Sequence, residues 1–560
     1  MSPRVNLSPE SLPEQTNESA DLDSQITGIR QQIAALQREL VQLEQRQHEI
    51  RRLQTLQAPA VPSAPPDVQV NAQLKASKVR SIRSLSQKGE LLLLGLLVLF
   101  AFVIRIYRLG SFPDTVLADE ADNAQNAVSI LYGHPPENGF FGLDWTSQPA
   151  FSVYKETAFI AIFGFNIMAM RLPSAAISAL ALIPFYMLLR RQLSVVASLL
   201  ATILLATEVW YLNFSRSGWN CIDVCFYMLM AMLFLMGGLD TIPLANSNGS
   251  RRLKWVYFAA AGVFCSLGLY GYPAGRAITL AVAAFFPIAW LFNREYFKTL
   301  LLGYIVLFAV ELATYAPEGI YVARNWEHFN GRSNVVLILN DPAYQADTLD
   351  TMLHQLDWNI RGPWDGRVNN TPQYSPVGEP QLDNLTGILV IIGMVLTIFI
   401  GRFRRQSETW LWWLMLLSGW TLTQLLTVNT PNGARGIGYM PTLIYFAGVS
   451  LHGLMEGVNH FFSKKITSAG WAYVAKYLTM AIFTGVILFA GYSNIIHYLN
   501  WQNKPHTREE RYLYITAKEF PQWSTAIVEL IKDQGHTMNV GQWREAHPIE
   551  DRANPYGISP

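Results

Sequence analysis

Long apolar runs separated by short polar segments fill most of the chain after residue 90. Each run contains few charges and is roughly 17–22 residues long, the length of one helix that crosses a bilayer. The pattern predicts spans at 90–107, 171–189, 194–211, 220–239, 254–270, 275–292, 299–315, 385–401, 409–427, 436–456 and 471–496. We therefore expect an all-α polytopic membrane protein with about eleven transmembrane helices over residues 90–496.

The segment before the first span has a different pattern. Residues 1–22 are polar and predict a disordered tail. Within 23–57, apolar residues recur every three or four positions from Ile26 to Ile50, which is typical of a coiled-coil seam. Residues 26–50 would then mediate self-association or bind a cytoplasmic partner, although a lone amphipathic helix fits the pattern equally well. Residues 58–89 read as a Pro-rich linker followed by a basic juxtamembrane segment.

Basic residues predict which side of the membrane each loop occupies. The basic cluster at 75–88 and the later clusters at 190–191, 251–254, 402–405 and 464–465 all fall on one side when the spans are counted. Cytoplasmic loops carry the excess of Lys and Arg. This predicts a protein of the inner (cytoplasmic) membrane whose N-terminus lies in the cytoplasm. The outer loops 109–170 and 316–384 and a small C-terminal segment, 497–560, would then be extracytoplasmic.

One apolar run, 149–165, does not fit as a span. If it crossed the membrane, every later basic cluster would change sides, so we expect an interfacial or re-entrant helix in the first outer loop. The C-terminal segment predicts an amphipathic helix followed by a strand.

Composition narrows the class of protein. Only 15% of residues are charged, compared with about 25% in soluble domains. The net charge of +1 gives no indication of nucleic-acid binding. The three cysteines, Cys221, Cys225 and Cys265, lie in apolar runs, so we expect small buried residues rather than metal ligands or disulfides.

The candidate chemistry begins directly after the first span. In "FPDTVLADEADNAQNAVSILYG", Asp119 and Glu120 stand at the start of a short predicted helix. Such a pair could deprotonate a hydroxyl group or hold a divalent cation, which would be the cofactor if there is one. Acidic residues are also favoured at any helix N-terminus by the helix dipole, so a purely structural role is the alternative.

Further polar residues are predicted at the same membrane face. Asp223 is expected about one turn inside a span, where a carboxylate is costly and marks a site or a polar partner. Candidates for contact with substrate are Lys155, Arg216, Tyr272, Arg276, Trp364, Arg367, Asn369 and Arg435. Arg side chains bind phosphate through two hydrogen bonds, although each could instead extend to lipid phosphate.

The order of these features resembles the family 39 type of C-fold (GT-C) glycosyltransferases, which includes protein O-mannosyltransferases, the lipid A aminoarabinose transferase and rhizobial core transferases. The resemblance is carried by "ADEADNAQNAVSILYG", "QPAFSVYKETAFIAIFGFNIMAMRLPSA", "LYGYPAGR" and "TPNGARGIGYMP", over about residues 90–530. Many relatives have Lys-Pro-Pro where this chain has Gln148-Pro149-Ala150, and that Lys is thought to touch lipid phosphate. Lys155, Arg216 or Arg276 would have to replace it.

The resemblance implies an inverting glycosyltransferase with Asp119 as the general base, Glu120 orienting it, and Asp223 as the membrane-edge Asp. The donor would be a polyprenyl-phosphate sugar, and the acceptor a lipid, glycan or protein on the outer face. A flippase for lipid-linked sugars, or a polymerase or ligase of surface polysaccharide, is the alternative. A flippase would need polar residues deep within several spans, whereas here most are predicted at the outer edge.

Overall fold

The computed structural model describes residues 87–144, 147–242, 248–369, 373–465, 469–503, 514–535 and 540–546. Nearly all regular structure in these ranges is helical. The predicted tail, the coiled coil and almost all of the linker lie outside the described residues, so these assignments stay predictions.

The elements of the first half of the chain include the site helix α2 and a span that is broken after Thr207. In chain order they are α1 (Gln87–Ile106), β1 (Thr115–Leu117), α2 (Ala118–Leu131), α3 (Phe151–Phe163), α4 (Ile167–Leu180), α5 (Leu182–Arg190), α6 (Val195–Thr207), α7 (Val209–Ser215), α8 (Asp223–Thr241), α9 (Asn248–Tyr270) and α10 (Arg276–Phe292).

The second half begins with a long helix that extends into the second outer loop. Its elements are α11 (Phe297–Arg324), α12 (Trp326–Val336), α13 (Pro342–Ala346), α14 (Thr348–Arg361), α15 (Asn384–Phe399), α16 (Gly401–Arg404), α17 (Ser407–Trp420), α18 (Gly433–Gly436), α19 (Met440–Lys465), α20 (Ala469–Gln502), β2 (Tyr514–Thr516), α21 (Phe520–Gln534) and α22 (Val540–Ala546).

Every predicted span falls on largely helical residues, although two of them, 171–189 and 194–211, are each divided between two helices. In the described part of the chain, six helices are long and apolar enough to cross a membrane, or seven if the bent pair α6–α7 counts as one. The structure therefore supports a multi-pass membrane protein, and the count of eleven spans stays a prediction. The run at 149–165 forms α3, which has only 13 residues and is too short for a span.

The bent span is joined to two neighbouring helices by buried polar groups. The axis turns by 59° between α6 and α7, where Glu208 lies. The Asp383 backbone N–H donates to Glu208 Oε1 at 2.9 Å, and Asn494 Nδ2 donates to Asp383 Oδ2 at 3.0 Å. A break exposes polar backbone groups that apolar surroundings do not satisfy, and helix breaks are tolerated where protein groups supply the missing partners.

The C-terminal segment packs against the back of α2. Strand β2 pairs antiparallel with β1, with Val116 opposite Ile515. Trp523, Ile527 and Trp543 share a buried apolar cluster with the apolar side of α2. The strand β2 precedes the amphipathic helix α21. The strand predicted after this helix lies almost entirely outside the described residues, and the chain is helical over Val540–Ala546. The C-terminal segment thus contacts both β1, which leads into α2, and α2 itself.

We expect Trp523→Ala to loosen α2. Trp523 is fully buried, and removing a buried Trp side chain costs about 3–5 kcal/mol because a cavity remains. The measurements are thermal unfolding in detergent and the rate of limited proteolysis after residue 503. Glu529→Ala, an exposed position on the same helix, is the control and should behave like the parent. Equal proteolysis rates for both variants would contradict this packing role.

Candidate functional site

Glu120 caps the helix that presents Asp119. The Leu117 backbone N–H donates to Glu120 Oε2 at 3.3 Å, one side of a capping box at the start of α2. The Gly218 backbone N–H donates to Glu120 Oε1 at 2.8 Å and ties a neighbouring loop to the same carboxylate. A Cβ at position 218 would lie 3.0 Å from Glu120 Cγ, a tight contact that favours glycine at this position.

The Glu120 carboxylate also forms a buried ion pair with Arg171. Arg171 Nε donates to Glu120 Oε1 at 2.7 Å, and both side chains are only 1% exposed. Arg171 further donates to the backbone oxygens of Pro113 and Thr115. Both Glu120 oxygens are thus occupied by protein donors. These contacts favour the expected orienting role of Glu120 over the alternative that it holds a cation.

Asp119 lies in the first turn of α2 and is half-buried. Because Glu120 accepts the capping bond, capping does not require Asp119. Tyr374 lies within range of its charge: burial foremost, and then the negative charge of Asp119, raise the Tyr374 pKa to about 12. Burial also raises the pKa of Tyr272, on which Asp119 acts in the same direction and Arg435 in the opposite one. The negative charge of Asp119 thus adds to the effect of burial at both tyrosines.

Asp223 begins α8 and is fully buried. Lys155 Nζ, on α3, donates to Asp223 Oδ2 at 2.5 Å. The costly carboxylate therefore has a polar partner, and the pair fixes α3 to the start of α8. Lys155 remains 24% exposed, but its charge is shared with Asp223, which reduces its value as a ligand for lipid phosphate.

Arg216 is not available to a substrate. Its Nη1 donates to the carbonyl oxygens of Ile104 and Arg105, and its Nη2 to those of Tyr107 and Phe112. The side chain is 2% exposed. The expectation that Arg216 binds phosphate is wrong, because the C-terminal end of α1 leaves carbonyl groups without helical partners and this guanidinium satisfies them.

Two other arginines are better placed to bind an anion. Arg276 starts α10 and makes one long side-chain hydrogen bond, from Nη1 to Ser333 Oγ at 3.5 Å, with its guanidinium 4.4 Å from the centre of the Phe329 ring. Arg435 donates from Nη1 to the Val428 carbonyl at 2.6 Å and acts electrostatically on Tyr272 and Tyr374. These two arginines therefore remain the candidates for contact with phosphate.

The second outer loop contributes a residue that the sequence analysis did not single out. Tyr374 packs its ring 6.0 Å from that of Trp219, and Trp219 in turn lies 6.1 Å from Tyr272. Trp364 is half-buried against the main apolar core. A substrate contact of Arg367 or Asn369 stays a prediction, and the structure shows other contacts for both residues. Arg367 is 84% exposed and pairs with Asp365, while Asn369 is buried and donates to Ser375 Oγ and the Glu379 carbonyl, which holds the loop itself.

The candidate groups are thus an acidic side chain, aromatic rings and two arginines. A carboxylate can accept a proton from a hydroxyl, arginines can bind a phosphate that leaves, and aromatic rings can exclude water. Among the residues that the structure describes, no group of three or more His, Cys, Asp or Glu is close enough to hold a metal ion. The three cysteines are buried and unpaired, as predicted.

No family model matches the chain, and the search of characterised proteins finds no match. Solved structures are similar to it at low identity. Oligosaccharyltransferase AglB from Archaeoglobus fulgidus, in complex with an inhibitory peptide and a dolichol-phosphate, aligns over 80% of this chain and 61% of its own, with 14% identity and a TM-score of 0.49. This chain therefore spans less than two thirds of the length of AglB.

Two further structures are of the same general kind. ArnT from Cupriavidus metallidurans, bound to undecaprenyl phosphate, aligns over 80% of this chain and 78% of its own, with 13% identity and a TM-score of 0.43. The S. cerevisiae protein O-mannosyltransferase complex, bound to the sugar donor, aligns over 47% and 37%, with 19% identity and a TM-score of 0.33. These are glycosyltransferases, in agreement with the resemblance noted in the sequence, but at such scores they carry no argument about activity.

Proposed function

We propose that the protein is a membrane glycosyltransferase that transfers a sugar from a polyprenyl-phosphate donor to an acceptor hydroxyl on the outer face of the cytoplasmic membrane. The observation that carries the proposal is the position of Asp119. It stands in the first turn of a helix whose cap is another residue, and its charge acts on Tyr272 and Tyr374. Arg435 acts in the opposite direction on the pKa values of the same two tyrosines.

The proposed reaction is a single displacement. Asp119 accepts the proton of the acceptor hydroxyl as its oxygen attacks the anomeric carbon of the sugar. The bond between that carbon and the phosphate oxygen breaks, and the electron pair leaves with the phosphate. Arg276 and Arg435 stabilise the negative charge that develops on the phosphate, which is the kind of electrostatic contribution that often dominates catalysis. The sugar is transferred with inversion.

A lipid-linked donor fits the position of this group. Asp119 follows α1, and Arg276 lies near the start of the helical segment Pro273–Phe292, which is long and apolar enough to cross the membrane. A polyprenyl-phosphate sugar reaches such a level from within the bilayer. Lipid, glycan and protein acceptors all present hydroxyl groups, and all three classes fit the proposed reaction.

The function is tested with purified protein and a panel of undecaprenyl-phosphate sugars, with cell-envelope extract as the source of acceptor. Release of undecaprenyl phosphate from at least one donor, dependent on the extract, is the expected result. A panel that contains mannosyl, glucosyl, galactosyl and arabinosyl lipids and yields no release would count against a lipid-linked sugar donor. Movement of intact donor between leaflets without release would favour the flippase instead.

Orientation has a separate test. Because the described native cysteines are buried, single cysteines can be labelled selectively in intact spheroplasts with a membrane-impermeant maleimide. Gln345→Cys, on the exposed surface of the second outer loop, should react without permeabilisation, and Arg405→Cys only after it. The reverse pattern would place the site in the cytoplasm.

The N-terminal region is proposed to be accessory. Deleting residues 1–70 should leave sugar transfer within a few-fold of the parent, because this segment precedes the first span on the opposite membrane face in the proposed topology. Transfer by the truncated and parent proteins, matched for the amount inserted, is the comparison. Loss of transfer by correctly inserted truncated protein would assign this segment to the catalytic unit.

A further inference from the structure

Glu318 is a buried carboxyl group that the proposed reaction does not use. It lies near the outer end of α11, in the stretch that leads into the second outer loop, and its exposed surface is 0%. Neither Oε1 nor Oε2 has a hydrogen-bond partner among the described residues. Burying such a group without donors costs free energy, so Glu318 is an acceptor that the described residues leave unused.

Aromatic rings line the neighbourhood of this carboxyl group. Tyr270 and Tyr315 both lie within range of its charge, and their ring centres are 5.4 Å apart. Phe141 and Phe151, from the first outer loop, pack against Tyr270 with ring centres at 5.9 and 5.4 Å. The aromatic wall therefore connects Glu318 with the loop that also presents Asp119.

Arg276 supplies the opposite charge without neutralising Glu318 directly. The two groups interact electrostatically, yet they form no ion pair within 4 Å in the described structure. Arg276 retains donor capacity, since its long bond to Ser333 Oγ uses one N–H. An unused acceptor and an incompletely used donor thus face the same region.

These properties define the chemistry of a ligand. It must donate hydrogen bonds to Glu318, accept them from Arg276, and present an apolar face to aromatic rings. A divalent cation does not fit, because Ca²⁺ takes six to eight oxygen ligands and Arg276 would repel it. A sugar attached to a phosphate meets all three conditions: hydroxyl groups donate, phosphate oxygens accept, and the C–H face of the ring packs on aromatic side chains.

We propose that Glu318 recognises hydroxyl groups of the donor sugar while Arg276 holds the phosphate to which that sugar is attached. Glu318 is then a specificity-determining residue, and the inference rests on the proposed function in taking the ligand to be a lipid-linked sugar. Binding of the sugar supplies the hydrogen bonds that the carboxyl group lacks in the empty protein.

The test compares binding of undecaprenyl phosphate with binding of the sugar-charged lipids of the same panel, using the purified full chain. The parent should bind at least one of the undecaprenyl-phosphate sugars about ten-fold more tightly than undecaprenyl phosphate without a sugar. Glu318→Gln should lose this preference. Ten-fold corresponds to about 1.4 kcal/mol, close to the loss of one hydrogen bond to a charged group. Arg276→Ala should weaken binding of undecaprenyl phosphate with and without a sugar to the same extent.

Glu311→Gln is the matched control. Glu311 lies two turns deeper on α11, where it accepts a hydrogen bond from Thr279 Oγ1, so this variant removes a carboxylate from the same helix and should keep the preference. In the ligand-free state Glu318→Met should be as stable as the parent or more so, because an unpaired buried polar group is removed.

Three results would overturn the inference. The preference for the sugar-bearing lipid could survive Glu318→Gln, or the parent could bind undecaprenyl phosphate equally well with and without a sugar. A lower melting temperature for Glu318→Met would indicate a structural role. Failure of the proposed function would give a different result. Binding of the lipid-linked sugar would still depend on Glu318, but no undecaprenyl phosphate would be released.

Discussion

Asp119→Asn should reduce turnover by about 10²–10⁴-fold, the range that general-base catalysis contributes. The amide keeps the shape of the side chain and cannot accept the acceptor proton, so the hydroxyl would have to attack while still protonated. Donor binding should change little, since the proposed phosphate contacts come from Arg276 and Arg435. The measurement is steady-state release of undecaprenyl phosphate, with donor affinity determined on the same preparation.

Asp122→Asn is the matched control for this prediction. It removes a carboxylate one turn further along α2 and should leave turnover within a few-fold of the parent. If both variants lost activity equally, the negative potential of the helix start, rather than proton transfer at Asp119, would explain the effect. Near-normal turnover of Asp119→Asn would return this residue to a structural role.

Arg171→Met should destabilise the protein by about 3–5 kcal/mol, because it leaves the Glu120 carboxylate buried without its charged partner. Turnover should also fall, because Arg171 joins Glu120 to the Pro113 and Thr115 carbonyls just before α2, the helix that presents Asp119. Thermal unfolding in detergent measures the first effect, and turnover at a temperature below the unfolding transition measures the second.

The double variant Glu120→Gln/Arg171→Met separates the ion pair from the packing. With no uncompensated charge left in the interior, it should be more stable than Arg171→Met alone, which gives a favourable coupling term in a double-mutant cycle. Additive losses would mean that the two side chains stabilise the fold independently, and that Glu120 does not position Asp119 through this pair.

The helices were predictable from sequence because a bilayer demands long apolar runs. Helix ends were less predictable, since packing sets them: α11 continues to Arg324, well past the predicted end of the span at residue 315. The break between α6 and α7 carried a weak signal in Glu208, a carboxylate inside an apolar run, but its partners Asp383 and Asn494 are far apart in sequence. The strand Tyr514–Thr516 was missed because three residues are too few to show a pattern.

The candidate site was predictable in part. Asp119 and Arg276 stand out because acidic and basic groups near spans are costly. The same reasoning misassigned Arg216, because sequence does not reveal that four carbonyl groups around the end of α1 take up its donors. Tyr374 and Glu318 were missed for a related reason: an aromatic residue in a polar loop and an acid in a long helix acquire meaning only from their neighbours.

The central claim is that Asp119 accepts a proton during transfer of a lipid-linked sugar, and single-turnover transfer as a function of pH tests it most directly. With protein in excess over labelled donor, the account predicts that the parent loses rate as the pH falls and the base becomes protonated, while Asp119→Asn stays slow and nearly independent of pH over the same range. A variant that transfers the label at the parent rate, with the same loss at low pH, would contradict it.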